Sequence, residues 1–358
     1  MPNASAPAKL QEEARTRAQS SSDDDVLLRV RNLQTYFPLR EGVVRAVDGA
    51  DLTIRRGRTL GVVGESGCGK SVTARSIMQI VDRPGKIVGG TVELYPDPSS
   101  DLPDHVVISD LAPMSPMMRK IRGSVISMIF QEPMSAFSPV HSIGSQLAET
   151  VLLHQNVSKT DARDMVVSMM ERVGISEPQR NFDAYPHQLS GGMRQRAMIA
   201  MALMLRPSLL IADEPTTSLD VTTEAQILRL MKDLQQELQM AIMFITHDLG
   251  VIASMSDDVA VMYLGRVVEA ASVDDVFYDA KHPYLRSLLR SIPRIGVKRE
   301  GRLETIKGMV PDPFNIPPGC PFHPRCPQYI EGVCNVEPPR VRQLGDTDHL
   351  VACHLYTD

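Results

Sequence analysis

Hydrophobic residues along this chain follow two habits, and each predicts an element. Short unbroken apolar runs, Thr59-Leu60-Gly61-Val62-Val63 and Ser208-Leu209-Leu210-Ile211-Ala212, read as buried strands, and a third ends at Phe244-Ile245. From Ser145 to Gly174 the apolar positions instead recur at helical spacing; Met165, Met169 and Met170 there are expected to pack a core rather than to bind a ligand. The most apolar stretch, Ala197 to Ala212, is broken by Arg206 and Pro207 and falls short of the roughly 20 residues of a spanning helix. Three segments lack either pattern. Met1 to Asp25 is polar, without the apolar core of a signal peptide, and predicts a disordered tail. Leu94 to Arg119, with Tyr95-Pro96-Asp97-Pro98-Ser99-Ser100-Asp101, reads as a surface loop. Beyond Arg266 the chain becomes rich in proline. The pattern predicts an α/β domain, and the change of character beyond Arg266 a second, smaller region.

The chemistry sits where the strands end. After Val63 comes Gly64-Glu65-Ser66-Gly67-Cys68-Gly69-Lys70-Ser71, a GxxxxGK[ST] loop leading into the helix-like Val72-Thr73-Ala74-Arg75. Gly64, Gly67 and Gly69 let backbone NH groups converge on phosphate, Lys70 adds charge, and Ser71 can reach magnesium. The run from Ser208 ends in Asp213 and Glu214, suited to holding magnesium and polarising water. Between these halves lies Leu189-Ser190-Gly191-Gly192-Met193-Arg194-Gln195-Arg196, which belongs to neither. Cys68 in the loop reads as a small neutral filler, although the loop NH groups and Lys70 favour a lowered pKa. A net charge of −5 gives no sign of nucleic-acid affinity.

From Val26 to Arg266 these motifs, in this order, resemble the ATP-binding-cassette family, as the ATPase subunit of an importer. The resemblance implies a P-loop nucleotide-binding cassette: a RecA-like core with antiparallel β and α-helical subdomains, followed here by a small Pro/Cys-rich C-terminal module. It implies that Ser190, Gly191 and Gly192 meet the ATP held by a partner's phosphate loop, in a sandwich dimer glued by ATP. Gln131 then reaches magnesium, Asp220 in Ser218-Leu219-Asp220 crosses the dimer interface, and His247 contacts the γ-phosphate, with Glu214 orienting the attacking water. The adenine is expected on Phe37, with Tyr36 as the fallback, since aromatics are only 4% of the chain.

The C-terminal region narrows the resemblance. Lys281-His282-Pro283-Tyr284 and the following Leu285 to Pro293 are similar to a segment of the oligopeptide and dipeptide importer branch. The basic residues there, with Lys298, Arg299 and Arg302, read as a solvated face or as neighbours of lipid headgroups. Cys320, Cys326, Cys334 and Cys353 are separated by five, seven and eighteen residues, unlike the paired CxxC of zinc ribbons. Gly319-Cys320-Pro321-Phe322-His323-Pro324-Arg325-Cys326 resembles that branch's tail, which implies a 4Fe-4S cluster on the four cysteines. Zinc and free thiols stay open, and His323, His349 and His354 lie near enough in sequence to replace a ligand. The resemblance further implies a second ATPase subunit, two transmembrane permease subunits and an extracellular substrate-binding protein, at the cytoplasmic face of the inner membrane. The cargo is oligopeptides or dipeptides, or else oligosaccharide, nickel or glutathione. A non-transport cassette ATPase acting on nucleic acid or ribosomes is the rival of another class; the single cassette, without heptads or a basic stripe, speaks against it.

Overall fold

The computed structural model describes residues 25–131, 136–217, 219–291, 306–345 and 347–356. The polar stretch Met1 to Asp24, Glu132 and Pro133, Ser218, and the basic Lys298, Arg299 and Arg302 lie outside them.

Strands are numbered in chain order. β1 (Val26–Leu39), β2 (Gly42–Arg55), β4 (Lys86–Leu94) and β5 (Val106–Val107) form an antiparallel sheet in the order β2-β1-β4-β5. The main sheet contains β3 (Thr59–Val63), β6 (Ile126–Ile129), β7 (Leu209–Asp213), β8 (Ala241–Ile245), β9 (Asp258–Tyr263), β10 (Arg266–Ser272), β11 (Val341–Gln343) and β12 (Leu350–Ala352). Its order is β11-β12-β10-β9-β3-β8-β7-β6, parallel from β9 to β6 and antiparallel beyond β9.

Every residue of β3, β7 and β8 is buried, as continuous apolar runs require of strands covered on both faces. Their side chains alternate between two cores. Leu209, Ile211, Met243 and Ile245 face the core shared with the antiparallel sheet, whereas Leu210, Ala212, Ile242 and Phe244 face the core shared with the helices. That second core takes in Met169 and Met170, with Met165 packed against it, so these methionines do fill space. The helical spacing resolves into helices Ile143–His154 and Lys159–Arg172, the second opened by a Ser158–Asp161 capping box. Among the described residues no helix is long and apolar enough to cross a membrane.

Two expectations are corrected. The stretch from Leu94 to Arg119 is not simply a surface loop: Val106 and Val107 pair with β4, Ile108, Met118 and Ile121 enter the core, and Ser115 caps a helix over Pro116–Ser124. Its apolar positions are too sparse for a periodic signal. The segment from Lys281 is solvated only in part, Arg290 being exposed. His282, Tyr284 and Leu285 are buried, and Arg286 donates to the Ala280 carbonyl, Gln328 and the Tyr356 hydroxyl.

The C-terminal region shares its core with the α/β domain. Cys320, Phe322 and Cys334 pack with Val63, Val261, Tyr263 and Tyr284, and β12 extends the main sheet by pairing with β10. Glu269 of β10, fully buried, anchors this join: it accepts from the backbone NH of Lys281 (2.8 Å) and His282 (2.6 Å) and from His349 Nε2 (2.8 Å). With several charge-assisted partners, the buried carboxylate is compensated.

Burial pushes the His282 imidazole down to about 3, with Arg286 adding to the effect. A base depressed in the folded state stays neutral there while the unfolded chain binds a proton below about pH 6.5, so stability is lost as pH falls through that value. Urea unfolding at pH 7 and pH 5 is expected to show a loss of about 2 kcal/mol attributable to His282. That difference is expected to be absent from His282→Gln.

Candidate nucleotide site

Four neighbouring parallel strands, β3, β8, β7 and β6, deliver their C-terminal ends to one edge of the sheet, the place where such sheets bind ligands. Gly64 to Gly69 follow β3, Glu214 follows β7, His247 lies two residues past β8, and Gln131 two past β6.

The loop closes tightly around its glycines. Gly69, at φ +102°, precedes the helix Lys70–Ile77, and a Cβ there would sit 2.2 Å from the Ala46 carbonyl oxygen. A Cβ on Gly64 would meet the Met262 carbonyl oxygen at 2.2 Å and the Cys68 sulfur at 2.7 Å. Cys68 therefore fills the floor of the loop. Burial pushes its thiol up, and Lys70 offsets this only in part, so the lowered pKa that its surroundings suggested is not found. Ser66 and Gly67 are exposed at the tip. The buried Lys70 ammonium donates across the loop to the carbonyls of Gly64 (2.8 Å) and Glu65 (3.1 Å).

Ser71 Oγ donates to Asp213 Oδ1 at 2.8 Å, which joins the two halves of the site. Burial raises the Asp213 pKa, opposed by the Ser71 hydrogen bond and reinforced by Glu214. A cation at this pair would meet one hydroxyl and one carboxylate already side by side. Glu214 has φ +47°, a left-handed conformation costing a non-glycine residue on the order of 1–2 kcal/mol. Its NH donates to the Ile245 carbonyl at 2.9 Å. The turn brings its carboxylate to Gln131 Nε2 (3.0 Å), Thr217 Oγ1 (3.1 Å) and His247 Nδ1 (3.3 Å). Gln131 and His247 thus converge on the carboxylate rather than on Asp213.

The second group of expected residues lies on helix ends. Ser190 caps the helix Gly191–Leu203, its Oγ accepting from the Met193 NH at 3.3 Å, and Ser190 and Gly191 are exposed. Asp220 caps the helix Val221–Leu238, accepting from Thr223 N (3.0 Å) and Oγ1 (2.7 Å), which lower its pKa. Thr223 also faces Gly192, where a Cβ would come within 3.0 Å of its methyl group. Of the two aromatic residues expected at the adenine, Tyr36 is committed: its hydroxyl donates to Asp48 at 2.6 Å, and Asp48 is ion-paired to Arg266 at 2.8 Å. Phe37 is half-buried beside Gly85, where a Cβ would lie 2.6 Å from its ring.

Cys320, Cys326, Cys334 and Cys353 are all free thiols, and they are mutual neighbours: each of the six pairs raises the pKa of one of its members, beneath a larger effect of burial. The Cys320 and Cys353 thiols are pushed up to about 11. The nearby histidines are otherwise engaged: His323 Nδ1 with the Cys320 carbonyl, His349 with Glu269, His354 Nε2 with the Glu337 carbonyl. Among the described residues, no group of three or more His, Cys, Asp or Glu is arranged to hold a metal ion.

Two residues absent from the expectations touch the loop. The Tyr284 hydroxyl accepts from the Glu65 NH at 2.9 Å, and Arg325 forms a two-pronged ion pair with the Glu65 carboxylate. Both lie in segments singled out for their own motifs, but nothing in the sequence ties position 65 to positions 284 and 325.

Two family descriptions match: ABC transporter over residues 47–217, and oligopeptide/dipeptide transporter, C-terminal region, over 268–334. The chain is 47% identical over 338 residues to a probable peptide ABC transporter ATP-binding protein, y4tR, of Sinorhizobium fredii, covering 94% of this chain and 97% of that one. It is 46% identical to the oligopeptide transport ATP-binding protein AppD of Bacillus subtilis (93% and 97% covered) and 45% to OppD of Escherichia coli (88% and 89%). Among solved structures, the ATP-binding cassette MJ0796, in a dimeric post-hydrolysis state bound to ADP and Pi, superposes with a TM-score of 0.59 at 25% identity, covering 69% of this chain and 99% of that one.

A carboxylic acid whose pKa is raised by folding costs stability when ionised, and that cost vanishes as pH falls through its folded value. Asp213→Asn is therefore expected to raise the thermal midpoint of the nucleotide-free chain at pH 7.5, with the gain shrinking in acid. The same variant is expected to lose at least about 100-fold in magnesium-dependent ATP hydrolysis.

Proposed function

This chain belongs to the ABC transporter family, in its oligopeptide/dipeptide branch, and from that premise we propose how its residues divide the work of ATP-driven peptide import. It is the ATPase subunit, working as a dimer with membrane permease partners. The observation that carries the mechanism is the convergence of Lys70, Ser71, Asp213, Glu214, Gln131 and His247 at adjoining strand ends.

Hydrolysis is in-line attack of water on the γ-phosphorus, breaking its bond to the β,γ-bridging oxygen, and the protein's task is to position and to stabilise charge. The NH groups of Gly64, Ser66, Gly67 and Gly69 line the phosphates, those of Glu65 and Cys68 being engaged by the Tyr284 hydroxyl and the Glu65 carbonyl. Lys70 leaves the Gly64 and Glu65 carbonyls for the terminal phosphates, replacing two neutral partners with an anionic one. Ser71, Asp213 and Gln131 hold magnesium, which when bound offsets phosphate charge. Glu214 orients the water, and its hydrogen bonds to Gln131 and His247 let those two register whether the γ-phosphate is present. Phe37 takes the adenine, Tyr36 being committed to Asp48. Ser190 and Gly191, exposed at a helix N-terminus, and the half-buried Gly192 serve the ATP of the opposing subunit, and Asp220 lies at that interface.

The dimer partner is a second, different ATPase, beneath two permease subunits fed by an extracellular substrate-binding protein, with this chain peripheral at the cytoplasmic face of the inner membrane. Residues 26–266 act as the cassette and 267–358 as the region specific to this branch. Cys320, Cys326, Cys334 and Cys353 would hold a 4Fe-4S cluster, none of them being in a disulfide; they are not arranged around a metal in the described residues, so loading would have to draw the sulfurs together. Bound there, the cluster supplies a crosslink for a proline-rich segment. Because a cluster takes thiolates, Cys320 and Cys353, whose thiols burial pushes up, would have to give up their protons to hold it.

Two measurements test this reading. Glu214→Gln is expected to keep ATP affinity within about threefold while kcat falls at least about 100-fold, and to accumulate as an ATP-bound dimer on size exclusion. Failure of the wild type to bind ATP, or an unchanged kcat in the variant, overturns the mechanism. Anaerobic purification is expected to yield iron and sulfide that Cys326→Ser loses; zinc in their place overturns the cluster assignment.

A further inference from the structure

We propose that Arg325 is a positioning residue of the nucleotide site: it holds and neutralises Glu65, so that the phosphate-binding loop accepts a triphosphate only while the C-terminal region is docked. The inference rests on the ATP-binding reading of the Lys70 loop.

The contact is two-pronged. Arg325 Nη1 lies 2.7 Å from Glu65 Oε2 and Nη2 2.9 Å from Oε1, a planar fork meeting a carboxylate face to face. The Arg325 side chain is 4% exposed and that of Glu65 24%, so the pair is held in place and shielded. The guanidinium is fixed from behind as well. Nη1 lies 3.3 Å from the Tyr263 hydroxyl, and Nε donates to the Lys307 carbonyl at 3.4 Å. Glu65 is also gripped by its backbone, whose NH donates to the Tyr284 hydroxyl. Tyr263, Tyr284 and Phe322 pack ring against ring, with centroids 4.7–5.3 Å apart, behind these contacts.

Both effects of this arrangement bear on ATP. A carboxylate at the second position of a phosphate loop repels the anion that the loop exists to bind, and the buried guanidinium cancels that charge. Fixing Glu65 at side chain and backbone also holds the loop in shape before ligand arrives, which lowers the ordering cost of binding. Arg325 stands one residue before Cys326 in the turn His323–Arg325, five after Cys320, so whatever orders the cysteine segment also places the guanidinium.

The test is a charge rescue in the full-length chain, with ATP affinity measured by displacement of a fluorescent ATP analogue and folding followed by thermal unfolding. Arg325→Met leaves Glu65 unpaired and is expected to weaken ATP binding at least about tenfold. Adding Glu65→Gln removes the offending charge and is expected to bring the Kd back to within about threefold of wild type. A residue that merely braced the tail would give no such rescue. Wild-type affinity in Arg325→Met, or a double variant no better than the single, overturns the proposal. Should Arg325→Met not fold, Arg325→Lys keeps the charge but loses the fork; an intermediate Kd is then expected, and a wild-type Kd overturns the proposal. A wild-type chain that binds no ATP would instead sink the functional reading on which the proposal stands.

Discussion

A strand buried on both faces can present polar chemistry only at its ends, and this constraint organises the molecule. β3, β7 and β8 have no exposed residue, so the loop from Gly64, the Asp213–Glu214 pair and His247 gather at one edge. Parallel pairing makes the edge common to all of them: had any of these strands run the other way, its end would face the opposite side. The single hydrogen bond from Ser71 to Asp213 spans 142 positions of sequence and requires only that β3, β8 and β7 be adjacent.

The site is held by strain and by compensated charge. Glu214 occupies a left-handed conformation, and Asp213 is ionisable yet buried with a raised pKa. Such costs are usual where a fold arranges polar groups for a ligand that will later satisfy them. The surrounding core supports them: alternating residues of β7 and β8 feed two separate hydrophobic clusters, which fix the strand ends from both sides.

The C-terminal region is a continuation of the sheet. β10, β12 and β11 extend the parallel core through successive antiparallel pairings, and Glu269 ties together three segments through Lys281, His282 and His349. The proline-rich cysteine segment, which has little core of its own, borrows one from Val63, Val261 and the aromatic cluster. The nucleotide loop and the cysteine segment therefore rest on the same side chains, Tyr263 and Tyr284 above all.

By itself the sequence determined the phosphate loop, the carboxylate pair, the LSGGM helix start and the buried strands, because each depends on neighbours a few residues away: glycine conformation, apolar runs, caps. It also marked the four cysteines as one set. Only the tertiary structure decided that Val106, Ile108 and Met118 complete the core of the antiparallel sheet. It likewise decided that Tyr36 is taken by Asp48 and that Cys68 is a buried filler whose thiol burial pushes up. The pairing of Arg325 with Glu65, 260 positions apart, belongs there too. Local rules fix what a segment becomes, whereas the partner of a buried charge is set by which surfaces the packed sheet brings face to face, and no local pattern records that choice.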